Sequence, residues 1–424
     1  LTRKYEKLPE TTRNLISLAA HIGYTFDIKM LSAVSGLPFQ DVSSHQWQSA
    51  AEGITKPCKS AINEFIKQDD KEPKTDITLF KFSDNSIRQV AFSQIPNKIR
   101  GMVSLEIGRY QLRTLSENDI DKNIFEITDR LNHGFKYIKN EEEKQGLVQL
   151  NLTAGRKAKK AMAYKAAIRY LSMGIGLLPQ QTKWDQYYDL TLQLYLEAVE
   201  AEFLMTTFER AEILSEEVLS HARQIEVIIR IYQLRIQFYS SLNLCREAIT
   251  AGIKALKMLD IELPESGEEL KKQLQELNEK IYSYENPDKK IAALPPMNNS
   301  RYLMAVQILM NLTAPAHQVH PDLLELITLK ILDYTITYGL TPESAFACAW
   351  YGILLYSPGG DPMKGALYGT TAINLAEKIE ESDLKFKVLF LINNYLKPWM
   401  NTTISEDISI YAKCREKLET SDKI

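Results

Sequence analysis

The sequence predicts an all-α protein with one small mixed region at its start, and three observations carry that prediction. Gly and Pro are few, 18 and 16 in 424 residues, and they punctuate long stretches instead of recurring every few residues. Apolar residues recur at helical spacing along most of the chain, as in Leu15, Leu18, Ala19 and Ile22, and again in Leu324, Ile327, Ile331, Tyr334 and Tyr338. Only one segment, Ile77–Phe82, alternates with the period of two that a strand requires.

The elements follow in order. A helix is predicted from Pro9 to His21, with Pro9-Glu10 suited to its first turn and Gly23 ending it. Asp27 then caps a short helix over Lys29–Val34, which closes at Gly36. A third helix runs from Pro38 toward Gly53. The charged stretch Lys67–Asp76 reads as a loop before the strand, and a fourth helix covers Asn85–Gln94. Three short helices and a strand pair flanking a loop is the order of a winged helix, placed at about 1–115.

From Glu141 onward paired helices dominate. Gly155, Ala167, Leu171, Gly174 and Pro179 have the small-and-bulky spacing of a tetratricopeptide helix pair. Looser echoes follow at Ala211, Ser215 and Val218, at Ala248, Gly252 and Ala255, and at Ala366, Thr370 and Ile373. Small residues are needed where two helices cross closely. The first three echoes are offset by 44 and 37 residues, which calls for elongated helices. The reading is an α-solenoid in two parts, 116–285 and 301–424. A Pro-containing linker at 286–300 separates them, because Pro295-Pro296 forbids a continuous helix. The second part shows no polar capping helix, which predicts that the natural protein continues beyond Ile424.

Composition excludes several function classes. Lys plus Arg is 51 against 54 for Asp plus Glu, so the net charge of −3 gives no general drive toward nucleic acid or an anionic membrane. No apolar run reaches membrane-spanning length, and no secretory signal opens the chain. The four cysteines, Cys58, Cys245, Cys348 and Cys414, form no C-x-x-C pair and suggest neither disulfides nor a zinc site. A reduced, cytoplasmic setting is expected.

The run Leu8–Gly23 with Phe26-Asp27, then Phe82–Phe92, Leu150–Ala158, Leu294–Met297 and Pro342–Ala347, resembles a segment of large bacterial signalling ATPases. These are STAND-type predicted ATPases, often fused to a serine/threonine kinase domain before them and to GAF and histidine kinase domains after them. The resemblance spans about residues 8 to 400. It implies a winged helix that packs on an ATPase core lying upstream, followed by a tetratricopeptide-like sensor array. It also implies that ATP and Mg²⁺ belong to that upstream domain, and that the segment's partners are its own ATPase and kinase domains and a protein or small-molecule effector. Where the family strand carries a His-Asp pair that senses nucleotide phosphates, this chain has Ser83-Asp84. A Ser donates a hydrogen bond but carries no charge.

Single motifs add little chemistry. Gly360 and Gly365 have the spacing of a phosphate loop, but Ala366-Leu367 stand where Lys and Ser or Thr would serve, so a turn between helices is expected. His317 and His320, near Asp322, could share a metal only with ligands from elsewhere, and Pro315 and Pro321 are expected to break the helix around them. No catalytic or cofactor-binding residue is predicted. The candidate recognition helix Pro38–Gly53 has no Lys or Arg, so DNA binding is not expected there.

Two surfaces remain as candidates. Arg156, Lys157, Lys159 and Lys160 form the densest basic stretch, with Lys165 and Arg169 beyond, and could dock an acidic partner. Trp184, Tyr188 and Tyr195, with Thr191, repeat along one expected helix from Lys183 to Leu204 and could line a partner groove; the alternative for them is aromatic core. The predicted function is a non-catalytic regulatory or sensor segment of a multidomain signalling ATPase or kinase. The alternatives are an inducer-sensing array of a MalT-like transcription regulator and a stand-alone scaffold or effector.

Overall fold

A computed structural model describes residues 5–58, 78–357, 360–380 and 383–397. The chain divides into two compact units, Leu1–Ser215 and Glu216–Ile424.

The first unit opens with α1 (Glu10–Ile22), β1 (Thr25–Asp27), α2 (Ile28–Ser35), α3 (Phe39–Ala51), β2 (Thr55–Pro57), β3 (Leu79–Phe82) and α4 (Asn85–Ser93). The Asp27 carboxylate accepts the Lys29 amide at 2.7 Å and so starts α2, as the sequence predicts. Gly36 closes that helix in the left-handed region, at φ 70°. The strands form one antiparallel sheet of order β1–β3–β2, with Phe26 opposite Phe80. Phe26, Phe80 and Phe82 are buried with Leu15, Ile16, Ile28, Leu31, Val42 and Ile54. The expected strand is therefore present over Leu79–Phe82; Ile77 and the loop Lys67–Asp76 lie outside the described residues. β1 and β2 have three residues each, too few to show a periodicity in sequence.

Helices fill the rest of the unit: α5 (Asn97–Thr114), α6 (Glu117–Lys122), α7 (Ile124–Gly134), α8 (Glu141–Lys160), α9 (Tyr164–Leu177), α10 (Lys183–Gln186), α11 (Tyr188–Leu204) and α12 (Phe208–His221), within which the division at Ser215 falls. Close crossings set their packing. A Cβ on Gly134 would come within 2.3 Å of the Gly101 carbonyl oxygen, which holds α7 against α5. A Cβ on Gly155 would meet Leu171 at 2.6 Å, holding α8 against α9. The expected single helix Lys183–Leu204 is two helices: Tyr187, at φ −126° and ψ 34°, leaves helical geometry between α10 and α11.

The second unit continues with α13 (Ile225–Ser241), α14 (Cys245–Met258), α15 (Gly267–Tyr282), α16 (Pro287–Lys290), α17 (Ser300–Val319), α18 (Pro321–Tyr338), α19 (Glu343–Leu355), α20 (Pro362–Glu377) and α21 (Asp383–Leu391), then a π-helical turn, Ile392–Leu396. One apolar core runs through it, from Ile229 to Leu396. The proline-rich stretch 286–300 is built into that core: Ile291 and Met297 are buried, and the Met297 amide donates to the Leu340 carbonyl at 2.9 Å. Gly339 allows this, since its φ of 115° favours glycine and a Cβ there would sit 2.5 Å from the Pro295 oxygen.

The repeat expected from small residues has a backbone counterpart. Met162, Thr206 and Asn243 each take a left-handed φ of about 60° between two paired helices. After each, the next amide donates to a carbonyl five residues back, as in Ala163 to Ala158, Thr207 to Glu202 and Leu244 to Tyr239. These turns are 44 and 37 residues apart, matching the offsets of the side-chain echoes. The echoes at Ala211, Ser215 and Val218 and at Ala248 and Ala255 are fully buried. The fourth echo is one position out of phase. Thr370 is exposed, and the packed face of α20 is Gly365, Tyr368, Gly369, Ala372 and Ala376.

Candidate functional site

The second unit holds a cavity of about 410 Å³. α17 contributes Met310, Thr313, His317 and Gln318, α18 Leu324, α19 Phe346, Trp350 and Ile353, and α21 Lys387, Phe390 and Leu391, with Tyr395 at its end. Its walls are mainly apolar and aromatic, the usual make-up of small-molecule sites. The Phe346 and Trp350 rings stack at 6.3 Å, His317 meets Trp350 edge-on at 5.8 Å, and Phe390 meets Tyr395 at 6.4 Å. Tyr395 is 49% exposed, which for a tyrosine leaves a large apolar face uncovered. Among the described residues of this lining Lys387 is the sole lysine or arginine, and none is Asp or Glu. Lys387 has no ion-pair or hydrogen-bond partner among the described residues, although Asp383 precedes it by one helical turn.

His317 therefore belongs to a cavity wall. It is exposed and packs on Trp350, whereas His320 sits before the first turn of α18. Pro315, expected to break the helix, lies inside α17, while Pro321 does begin a new one. Among the described residues no group of three or more His, Cys, Asp or Glu side chains could hold a metal ion. Cys348, on α19, is fully buried, and burial pushes its thiol up to about 12, so it stays protonated at neutral pH. The Gly360–Gly365 motif is a turn into α20, with the Asp361 carboxylate accepting the Met363 and Lys364 amides. Gly365 faces Gly352, where α19 and α20 touch.

The first unit has a different opening, of about 390 Å³, around His21, Phe92, Arg100, Ser104, Arg130 and His133, with Glu126 and Asp129 on its wall. His21 stacks on Phe92 at 5.2 Å and shares a hydrogen bond of 2.8 Å with Ser104. Its pKa falls to about 4, first because burial disfavours its charged form and then through repulsion by Arg130, His133, Arg100 and Arg88. The cations are already used: Arg130 donates to the His21 and Ile22 carbonyls and pairs with Glu126, Arg88 donates to the Ala20 carbonyl, and Arg100 donates to the Ile95 carbonyl.

The surfaces proposed from sequence are largely satisfied within the first unit. Trp184 and Tyr195 are buried, 5.1 Å apart, and the Lys183 ammonium donates to the Tyr195 hydroxyl at 2.7 Å. These two rings are packing residues and not an open groove; Tyr188 alone is half-buried. Burial of the rings favours that inward packing, and the hydrogen bonds of the Lys183 ammonium to the Tyr195 hydroxyl and the Gln180 amide oxygen offset the cost of burying its charge. In the basic stretch, Arg156 and Lys159 pair with Glu197 at 2.7 and 2.5 Å, and Lys159 also reaches Glu200. Lys157 pairs with Asp121 at 2.8 Å, and Arg169 with Asp129. Lys160 and Lys165 are exposed. Three of these lysines end α8, whose first turn is Glu141–Glu143, so the run complements the helix dipole. Ser83 is half-buried and its amide donates to the Ile54 carbonyl, while Asp84 caps α4 by accepting the Ser86 amide. That hydrogen bond holds the exposed Asp84 carboxyl below its usual range.

Comparisons with known proteins add the following. No family model matches the chain. A stretch of 310 residues, 65% of the chain, is 24% identical to a hybrid signal transduction histidine kinase G of Dictyostelium discoideum, and it covers 9% of that protein's length. Among solved structures, a STAND protein with a tetratricopeptide repeat sensor from Pyrococcus horikoshii aligns over 97% of this chain and 63% of its own, at 12% identity and a TM-score of 0.31. No helix among the described residues is long and apolar enough to cross a membrane.

Proposed function

We propose that this chain is a non-catalytic regulatory segment of a longer signalling protein, an ATPase or kinase, and that it works by binding effectors and partner domains along its helix pairs. The observation that carries this reading is the similarity of 65% of the chain to a stretch of a signal transduction histidine kinase. The three N-terminal helices with their β1–β3–β2 sheet support the winged-helix part of the reading. In this view that domain holds an ATPase core elsewhere in the protein, and ATP and Mg²⁺ are bound there. The regulatory step is a population shift: an effector that binds one packing of the helix pairs better than another changes how the core is held. Position 83 would read nucleotide weakly, because Ser lacks the positive charge of the His in related switches.

The cavity in the second unit favours a second reading, an inducer-sensing array of a MalT-like regulator, since its size and lining suit a small molecule. Sequence on either side of the segment separates the two: a kinase domain supports the first and a DNA-binding helix-turn-helix the second. Titration of the 424-residue chain with ATP–Mg²⁺ tests the non-catalytic assignment. No rise in melting temperature is expected, and a saturable rise would overturn it. In the complete protein, deletion of this segment should alter phosphotransfer by the remaining domains; unchanged signalling would refute a regulatory role.

A further inference from the structure

We infer that the cavity of the second unit binds a small aromatic carboxylate, an inference that rests on the sensor reading above and names the class of effector. Four features select this chemistry. The volume of about 410 Å³ lies within the range of small-molecule sites, which runs from roughly 300 to 1,000 Å³. Phe346, Trp350, Phe390 and Tyr395 supply rings at its wall, and they pair in stacked and edge-on geometries that a further ring can extend. Among the described residues the lining offers no carboxylate, so a cationic ligand would enter without a counter-charge from them. Lys387 offers the opposite: a cation on the rim of an apolar cavity with no partner among the described residues.

Three other lysines of this unit have partners. Lys280 pairs with Asp333, Lys364 donates to the Tyr282 carbonyl, and Lys385 donates to the Ile379 carbonyl. A carboxylate head bound at Lys387 would leave its ring body against Trp350 and Phe390, with His317 and Gln318 in the same lining. An ammonium facing a single carboxylate at a half-wet rim gives moderate affinity, and the rings supply the rest.

Isothermal titration of the 424-residue chain with 2-naphthoate, its methyl ester and 2-naphthylmethylammonium tests this. The acid should bind at least about tenfold more tightly than the ester or the amine, a difference of about 1.4 kcal/mol. Lys387→Gln should remove that preference by weakening the acid about tenfold and leaving the ester unchanged. Lys378→Gln, at an exposed position on the same unit outside the cavity, should change nothing. Equal binding of the three probes, no binding of any, or indifference of the acid to Lys387→Gln would overturn the inference. If 2-naphthoate binds as expected but leaves phosphotransfer by the complete protein unchanged, the ligand class stands and the sensor reading fails.

Discussion

Two openings, one in each unit, are of similar size and opposite character. Around His21 in the first unit, every guanidinium has a carbonyl or carboxylate to bind, and Glu126 and Asp129 already serve Arg130 and Arg169. Around Trp350 in the second unit, aromatic walls remain uncovered and Lys387 has no partner among the described residues. The polar opening has committed its guanidinium cations to holding helices together, because a buried charge left unpaired costs several kcal/mol. The apolar opening has kept one charge in reserve at a wet rim, where an unpaired lysine costs little. A rich set of titratable groups is thus a poorer guide to a ligand site than one unmatched group in an apolar frame.

The largest expected effect sets two tryptophans against each other. Trp184 is 6% exposed in the first unit, so Trp184→Ala should cost about 3–5 kcal/mol of stability. Trp350 is half-buried at a cavity wall, so Trp350→Ala should cost roughly half as much and weaken naphthoate binding instead. Urea denaturation of both variants decides it. Equal losses would mean that the cavity is core and the contrast between the units is false.

Helix crossings give the next effect. Gly134→Ala would drive a methyl group into the Gly101 oxygen and the Leu105 side chain, both backbone-anchored, and should cost about 2–3 kcal/mol. Gly176→Ala on α9 meets nothing within 4 Å and should stabilise by about 0.5–1 kcal/mol, through helix propensity alone. Melting temperatures moving in the same direction would break the close-crossing account of the first unit.

Those crossings also mark what the sequence could reveal. Gly155, Ala167, Leu171 and Gly174 announced a helix pair because small residues at fixed offsets have few other uses, and the same offsets reappear in the turns at Met162, Thr206 and Asn243. Asp27 and Gly36 marked α2 because capping depends on local geometry. The break at Tyr187 was illegible, since no Gly or Pro marks it. The cavity was illegible for a different reason. Its wall joins His317, Trp350, Lys387 and Tyr395 from separate helices, and no spacing within one helix encodes that meeting. The basic run ending α8 drew attention by its density, yet its carboxylate partners Glu197 and Asp121 lie on other helices.

Acid should separate the units by a smaller margin. His21 is neutral when folded, with a pKa of about 4 against 6.5 when unfolded. Between those values the unfolded chain binds more protons, so stability rises with pH through this window and is lost as pH falls from 6.5 toward 4. The ring is partly open to solvent, and after that discount the loss is about 1 kcal/mol. His21→Gln should flatten the dependence in this window. An unchanged slope would show that another group carries it.

The smallest effect concerns the charges themselves. Lys157 and Asp121 face each other at 2.8 Å across α8 and α6, but both are well exposed, at 37% and 62% of their side-chain surface. Water and salt screen such a pair, and holding two long side chains together costs entropy, so a double-mutant cycle should give a coupling near 0.5 kcal/mol. Added salt should reduce it further. Lys387→Gln removes a charge that has no partner, so stability should stay within about 0.5 kcal/mol of the parent chain and salt should not change the difference. The two substitutions then diverge by readout: disrupting Lys157 is felt faintly in folding, whereas Lys387→Gln is silent in folding and visible in naphthoate affinity. A salt-dependent loss of stability from Lys387→Gln would reveal an ion pair at the cavity rim, and with it the loss of the free cation on which the contrast between the two openings depends.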